Sequence, residues 1–206
     1  MDFPSSFFIS SGGSTFRFRP IHPSDKELLQ KGFSELSERS RYLRFFYPLN
    51  KLSDAHLRYL THVDGEQHVA WGILDESGDQ VIPVGLGRFV RVKGESNVAE
   101  VALTIVDAYQ RQGLGQLLFA TLNIIAAHKG VAIFRYYVHE TNRFVLHALK
   151  QFETLRQQNE DQITLVDIKV IPNHRAISDQ PNMQEFKAAM KKIEKAMGIE
   201  KMADPY

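Results

Sequence analysis

The sequence predicts an α+β domain: a mixed central sheet flanked by helices, with one further helix added at the C-terminal end. Three observations predict it. Residues 99–122, AEVALTIVDAYQRQGLGQLLFATL, pass from a β-branched apolar run through a polar loop with two glycines into an apolar run free of proline and glycine. That is a strand, a tight loop and a helix. Near the start, TFRFRPI alternates aromatic and arginine residues with the two-residue period of a half-buried strand. Between these, apolar residues first fall at helical spacing (Leu28, Leu29, Phe33, Leu36) and then give way to strand-like runs.

Each element follows from local chemistry. Residues 1–14 are rich in Ser and Gly and are expected to be a flexible, loosely docked segment. Thr15–Ile21 is the first expected strand. Pro23-Ser24-Asp25 starts a helix, and ERSRYLRFFYP carries a second, ended by Pro48 at the latest. Ser53 is placed to cap a third, with Leu57, Leu60 and Val63 on one face. His68–Leu74 and Val81–Val92 read as strands joined by the turn-rich DESGDQ, and Lys93-Gly94-Glu95-Ser96 turns the chain into the central strand. Gly115–His128 is a helix closed by Lys129-Gly130, a basic residue followed by a glycine that can take up the left-handed cap conformation. A strand over Val131–Val138 and a helix over Asn142–Gln151 follow. The polar run Arg156–Asp161 separates two last strands, the second over Ile163–Ile171. His174–Pro181 reads as a linker. Met183, Phe186, Met190, Ile193 and Met197 then mark an amphipathic helix with Gly198 as its stop. This helix packs either on its own domain or on a second subunit as a homodimer. The expected division is 1–14, 15–173 and 174–206.

Composition narrows the function classes. The 206 residues are 43% hydrophobic and 24% charged, enough for a sizeable core. A formal net charge of +1 gives no support for a nucleic-acid or membrane-surface partner. No apolar run approaches the roughly 20 residues of a membrane span, and MDFPSSFFISSGG has neither the basic region nor the apolar core of a secretory leader. A cytoplasmic setting is the default. With no cysteine there is no disulfide and no thiolate nucleophile, and the eight histidines show no ligand spacing, so no metal is expected.

The loop after the central strand carries the chemistry. Gln110-Arg111-Gln112-Gly113-Leu114-Gly115 places backbone N–H groups at a helix N-terminus, where first-turn donors have no internal partner. Gly113 and Gly115 let a phosphate approach without meeting a Cβ. The Lys-Ser/Thr pair of a triphosphate loop and the third glycine of a dinucleotide loop are both missing.

This Q/R-x-x-G-x-G/A spacing directly after a strand resembles the acetyl-CoA loop of the GNAT superfamily of N-acetyltransferases. The resemblance covers about Phe16 to Ile171. FRFRPIHPSD is similar to the R-x-R/P-x-x-x-x-D opening of many members, ending at Asp25. LSERSRYLRFF, LTHVDGEQHVA and AEVALTIVDAYQRQGLG together look like the acetyltransferase domain of bacterial protein-lysine acetyltransferases of the Pat type. HETNRFVLHALKQF looks like the second cofactor segment, with Asn142 where the family has its CoA-contacting asparagine. Two positions depart: Glu153 stands where the family has a glycine, and Leu149 where many members have the tyrosine that protonates the departing thiolate. No cyclic-nucleotide or synthetase-like domain of the kind sometimes fused to such enzymes is visible, so a stand-alone catalytic domain is expected.

The resemblance implies acetyl-CoA as co-substrate and direct transfer to a primary amine, a protein lysine first among acceptors. Glu100 is the candidate general base. Alternation puts it on one strand face with Ala102, Thr104 and Val106, where small neighbours leave room for a substrate. The backbone of Thr104, Ile105 and Val106 is expected to align the pantetheine arm, with the Ile105 amide polarising the carbonyl. Gln110, Arg111 and the N–H groups of Gln112, Gly113, Leu114, Gly115 and Gln116 are expected to hold the pyrophosphate, and Asn142 to contact CoA while capping its helix. Tyr136, Tyr137 and His139 are weaker candidates as proton shuttles. An acidic pair, Asp64 and Glu66, with His62 and His68, is a weaker candidate for meeting a cationic acceptor. Two other readings stay open: a small-molecule amine acceptor, and a non-catalytic acetyl-CoA-binding regulatory or scaffold domain.

Overall fold

The computed structural model describes residues 3–199. Met1, Asp2 and residues 200–206, which belong to the expected terminal segments, lie outside the described residues. Eight strands form one sheet in the order β1-β2-β3-β4-β5-β6-β8-β7. They are β1 (Phe7–Ser11), β2 (Ser14–Pro20), β3 (His68–Asp75), β4 (Ile82–Val92), β5 (Glu95–Ile105), β6 (Ile133–His139), β7 (Thr154–Glu160) and β8 (Ile163–Lys169). All neighbours are antiparallel except β5 and β6, which run parallel. That one parallel pair needs a crossover, and α4 (Leu114–His128) supplies it.

The helices divide between the two faces. On one, α4 and α6 (Gln184–Met197) pack together. Every residue of α4 from Leu117 to Ala126 is buried, because one side lies on the sheet and the other is covered by α6. Phe119 joins the layers, with its ring 6.0 Å from Phe134 of β6, 5.3 Å from Phe152 and 5.3 Å from Phe186 of α6. Asn123, buried in the middle of α4, donates to Phe119 O and accepts from Ile171 N at 3.0 Å, tying the chain after β8 to the helix. On the other face lie α1 (Lys26–Ser34), α2 (Glu38–Phe45) and α3 (Asp54–Thr61) over a smaller core of Phe33, Leu36, Leu52, Leu60 and Val106. The short helix α5 (Arg143–Leu149) follows β6.

The start of the chain is not a loose tail. Phe7 and Ile9 are buried, and β1 pairs with β2 through five registered residues, extending the sheet by one strand. Phe7 stacks on Phe18 at 5.2 Å. Five Ser and two Gly around an alternating Phe7-x-Ile9 masked a hairpin whose Gly12 and Gly13 take positive φ at the turn. At the other end, the polar run expected as a separator is itself strand β7. All seven of its residues are exposed, so no apolar alternation marks it, and pairing with β8 alone defines it. The C-terminal helix seats its apolar residues Phe186, Ala189, Met190, Ile193 and Met197 against its own domain, and Lys192 donates to Ser10 O at 2.7 Å. A homodimer through this helix would have to use its polar face.

Conserving a bend before α1 is the work of Arg19 and Asp25, the two ends of the opening motif. Nη1 and Nη2 of the Arg19 guanidinium donate to the two Asp25 carboxylate oxygens at 2.7 Å, and His22 N donates to Asp25 at 2.7 Å. Burial alone would raise the Asp25 pKa, but these bonds hold it below the usual carboxylate value.

Candidate active site

The site is a fork in the sheet. β5 and β6 pair only over Val98–Glu100 and Ile133–Arg135, although β5 runs on to Ile105 and β6 to His139. The closed end is pinned by an ion cluster in which Arg135 and Asp167 are buried and Glu95 is exposed. Arg135 reaches Asp167 of β8 with two bonds of 2.9 Å and Glu95 of β5 at 2.8 and 3.2 Å. These partners, Asp167 foremost, push the Arg135 pKa well above its ordinary value, so it stays charged. Such a cluster fixes register more than it adds stability.

Register decides which backbone groups face the fork. Val106 N–H donates to Val84 O at 2.8 Å, and β4–β5 pairing continues unbroken from Gly85–Ile105 to Arg91–Ala99. Alternation along a strand then turns the backbone groups of Ala102 and Thr104 toward β4. Those of Val101, Leu103 and Ile105 turn the other way, toward the fork. Of the three residues expected to align a pantetheine arm, only Ile105 presents its amide there. The backbone groups of Thr104 and Val106 are turned to β4, and those of Val101 and Leu103 face the fork. The periodicity was legible in the sequence, but the hydrogen-bonding parity of β5 was set by its partner strand.

At the open end lies the loop. Gly113 takes φ +78° as the N-cap of α4 and has no side chain to satisfy the first-turn amides. Those of Leu114, Gly115 and Gln116 therefore form a donor set for an anion. Arg111 is exposed and held at φ +61°, a left-handed conformation costing a non-glycine residue about 1 kcal/mol. Gln110 and Gln112 act on the loop itself: Gln110 Nε2 donates to Ile105 O and Gln112 Nε2 to Ala108 O, each at 3.0 Å. Gln116 turns its side chain to Glu185 of α6 at 3.3 Å, leaving only its backbone for a ligand. Asn142 caps α5 through Oδ1, which accepts from Val145 N at 3.3 Å; its Nδ2 remains to donate.

Glu100 is exposed at the closed end, on the face under α2. Around it stand cations. Arg88 of β4, opposite Ala102, is 4% exposed, lies 4.2 Å over the Tyr59 ring and has one buried guanidinium nitrogen, Nη1, with no hydrogen-bond partner. Arg44 of α2 is pushed down to about 10 by burial and by Arg88, with Glu100 acting in the opposite direction. It remains protonated at neutral pH. Neither arginine stood out in the sequence, because only the crossing of α2 over β4 and β5 brings them beside Glu100.

A latch holds α2 in place. Asp107, just past β5, accepts from Ser37 N at 3.1 Å, Ser37 Oγ at 2.7 Å and Ser40 Oγ at 3.0 Å. Burial would raise the Asp107 pKa, but these bonds hold it low. The segment LSERS is thereby tied to the start of the loop, 70 residues away.

Two of the weaker candidates, Tyr136 and the acidic pair, fall elsewhere. Tyr136 is buried under Phe119 on the opposite face, where burial raises its hydroxyl pKa, so it is no shuttle. Asp64 closes its own loop, accepting from the amides of Glu66, Gln67 and His68 at 2.8 to 2.9 Å, and Glu66 binds Lys129 at 2.5 Å. That acidic pair is used internally. Leu149 is buried in the core that α4 and α6 cover. Among the described residues no three His, Asp or Glu side chains are grouped to hold a metal, and no helix is long and apolar enough to cross a membrane.

No protein-family model matches the chain. It is 28% identical over 185 residues to acetyltransferase Pat of Mycolicibacterium smegmatis, an alignment covering 90% of this chain and 55% of that protein. It is 30% identical over 112 residues to an acetyltransferase of Pseudomonas aeruginosa, covering 54% of this chain and 60% of that one. The matched region thus spans little more than half the length of these curated relatives. Among solved structures, the GNAT domain of S. lividans PAT superposes with a TM-score of 0.73 at 24% identity, covering 82% of this chain and 99% of that domain. A Salmonella typhimurium protein solved with its cofactor acetyl-CoA gives 0.56 at 15% identity, over 80% and 98%.

Proposed function

We propose that this chain, which has the GNAT fold and resembles the acetyltransferase domain of Pat-type proteins, is an acetyl-CoA-dependent N-acetyltransferase. Its acceptor is a primary amine, first of all a protein lysine. One observation carries the reading: the fork has an exposed carboxylate, Glu100, at its closed end and an uncapped helix N-terminus at its open end. An extended pantetheine arm can lie between them, pairing with the amides of Leu103 and Ile105 as an added strand. The α4 amides, Arg111 and Asn142 Nδ2 then meet the phosphate end.

The chemistry follows from position. A lysine amine has a pKa near ~10.4 and must lose a proton before it attacks. Glu100 takes that proton directly or through water. The carbonyl oxygen gains charge in the transition state, and an amide from Leu103 or Ile105 stabilises it. Holding thioester and amine in line is the remaining contribution.

Two measurements test this. Calorimetric titration with acetyl-CoA should give stoichiometric binding in the micromolar range, weakened by substitutions in the loop. Acetyl transfer to a panel of lysine peptides and free amines should fall roughly 10²- to 10⁴-fold in Glu100→Gln, with acetyl-CoA binding retained. Unchanged transfer in that variant removes Glu100 from the role of base, and preference for free amines redirects the acceptor assignment to small molecules.

A further inference from the structure

Leu149 is a buried aliphatic side chain with no proton to give, so a proton for the departing thiolate comes from another group. α2 crosses the fork on the Glu100 face, and Tyr42 on it reaches His139 at the end of β6, with Tyr42 Oη 3.5 Å from His139 Nε2 and the rings 5.3 Å apart. Because Glu100 pairs with Arg135, alternation puts His139 on the same face as Glu100. It stands four residues beyond Arg135, at the level Thr104 holds on β5. α2 packs on β5 and reaches the end of β6 through this pair, so the pair bridges the two arms of the fork on the Glu100 face, where the thioester end of a bound pantetheine would lie. Tyr42, Phe46, His139, Asp161, Gln162 and Ile163 line an open bay of about 480 Å³ on its outer side.

Hydrogen bonding fixes which atom can give a proton. Thr141 N donates to His139 Nδ1 at 3.2 Å, and Thr141 Oγ1 lies 2.9 Å from the same nitrogen. Nδ1 is thus an acceptor, and the ring proton sits on Nε2, which donates to Gln162 Oε1 at 3.0 Å. That single N–H is spent on Gln162, and a protonated Nε2 offers no lone pair to Tyr42, 3.5 Å away, so the phenol does not donate to it. The hydroxyl proton of Tyr42 is then free to point into the fork.

We propose that Tyr42 is the general acid of the transfer and that His139, held by Thr141 and Gln162, is its positioning residue; this rests on the acetyltransferase reading. The amine nitrogen bonds to the thioester carbon, and Glu100 or a water takes the amine proton. The adduct collapses with cleavage of the C–S bond, whose electron pair leaves on sulfur. Tyr42 Oη gives its proton to that sulfur, forming the thiol. The phenolate is reprotonated from solvent through the bay.

The test is Tyr42→Phe, which removes one oxygen and keeps the ring. Acetyl-CoA titration verifies that the variant is folded and binds as the unaltered chain does. Turnover of a peptide or amine acceptor should drop roughly 10²-fold in kcat. With the analogue of acetyl-CoA in which selenium replaces sulfur, a less basic leaving group that departs without a proton, the deficit should shrink to a few-fold. His139→Asn should show a smaller loss with the same dependence on leaving group. An equal deficit with both cofactors, or unchanged turnover in Tyr42→Phe, overturns the proposal while leaving the acetyltransferase reading standing. Absence of transfer by the unaltered chain to every acceptor overturns both.

Discussion

The two faces of the sheet are built differently. The α4–α6 face is a continuous apolar layer in which Phe89, Phe119, Phe134, Phe152 and Phe186 touch ring to ring. The α1–α3 face has a small apolar core and, beside it, Glu100, Arg44, Arg88, His68 and the Tyr42–His139 pair. Buried Nη1 of Arg88 and Nε2 of His68 have no hydrogen-bond partner, a cost that a face devoted to packing would not carry. One face is given over to packing, and the other carries charged groups, with buried polar atoms among them that lack a partner.

Exchanging damage between the faces should separate these roles. Glu100→Gln has the largest expected effect, the 10²- to 10⁴-fold loss of transfer given above, yet it should leave the melting temperature unchanged, since Glu100 is exposed. A substantial fall in melting temperature would mean that the charged face is structural. Phe186→Ala should do the reverse. It empties a fully buried site and is expected to cost about 3–5 kcal/mol, read as a drop of roughly 10 °C or more in melting temperature. The acetyl-CoA affinity of the remaining folded protein should change little.

Smaller effects sharpen the boundary. Arg111→Ala should weaken acetyl-CoA binding by about tenfold, through lost charge-assisted contacts, with little change in kcat at saturation. A fall in kcat with unchanged affinity would contradict a phosphate role. The smallest expected effect concerns His68, whose pKa burial and Arg88 push down to about 4. Between its ordinary value near ~6.5 and 4, the unfolded chain binds a proton that the folded chain refuses. Stability present above the upper value is therefore lost as pH falls toward 4. His68→Gln should flatten the decline in melting temperature between neutral pH and pH 4.5, and an unaltered slope would exclude His68 as its source.

Much of the fold was legible because local signals agreed with one another. TFRFRPI, the Ser53 cap, the glycines around α4 and the Met183–Met197 periodicity each mark an element that the structure contains. Strands β1 and β7 were hidden for a physical reason. One is a short hairpin arm in a Ser/Gly context, and the other is an edge strand exposed throughout, so neither imposes a strong pattern on its residues. Of the candidate site, Glu100, Ile105 and Arg111 were proposed from the 99–122 stretch and Asn142 from the second cofactor-like segment. Arg44, Arg88, the Asp107 latch and Tyr42 could not be, because each depends on a contact between distant segments.

By itself, then, the sequence determined what short-range chemistry determines: the strand–loop–helix at residues 99–122, the donor-rich helix start at Gly113 and the face on which Glu100 stands. Tertiary structure decided which backbone amides of β5 face the fork, since that parity depends on pairing with β4. It also decided that the fork exists at all, because β5 and β6 part after Glu100 and Arg135. Finally, it decided what stands over that opening: only the docking of α2, latched by Ser37 and Ser40 to Asp107, brings Tyr42 to His139 across 97 residues of chain.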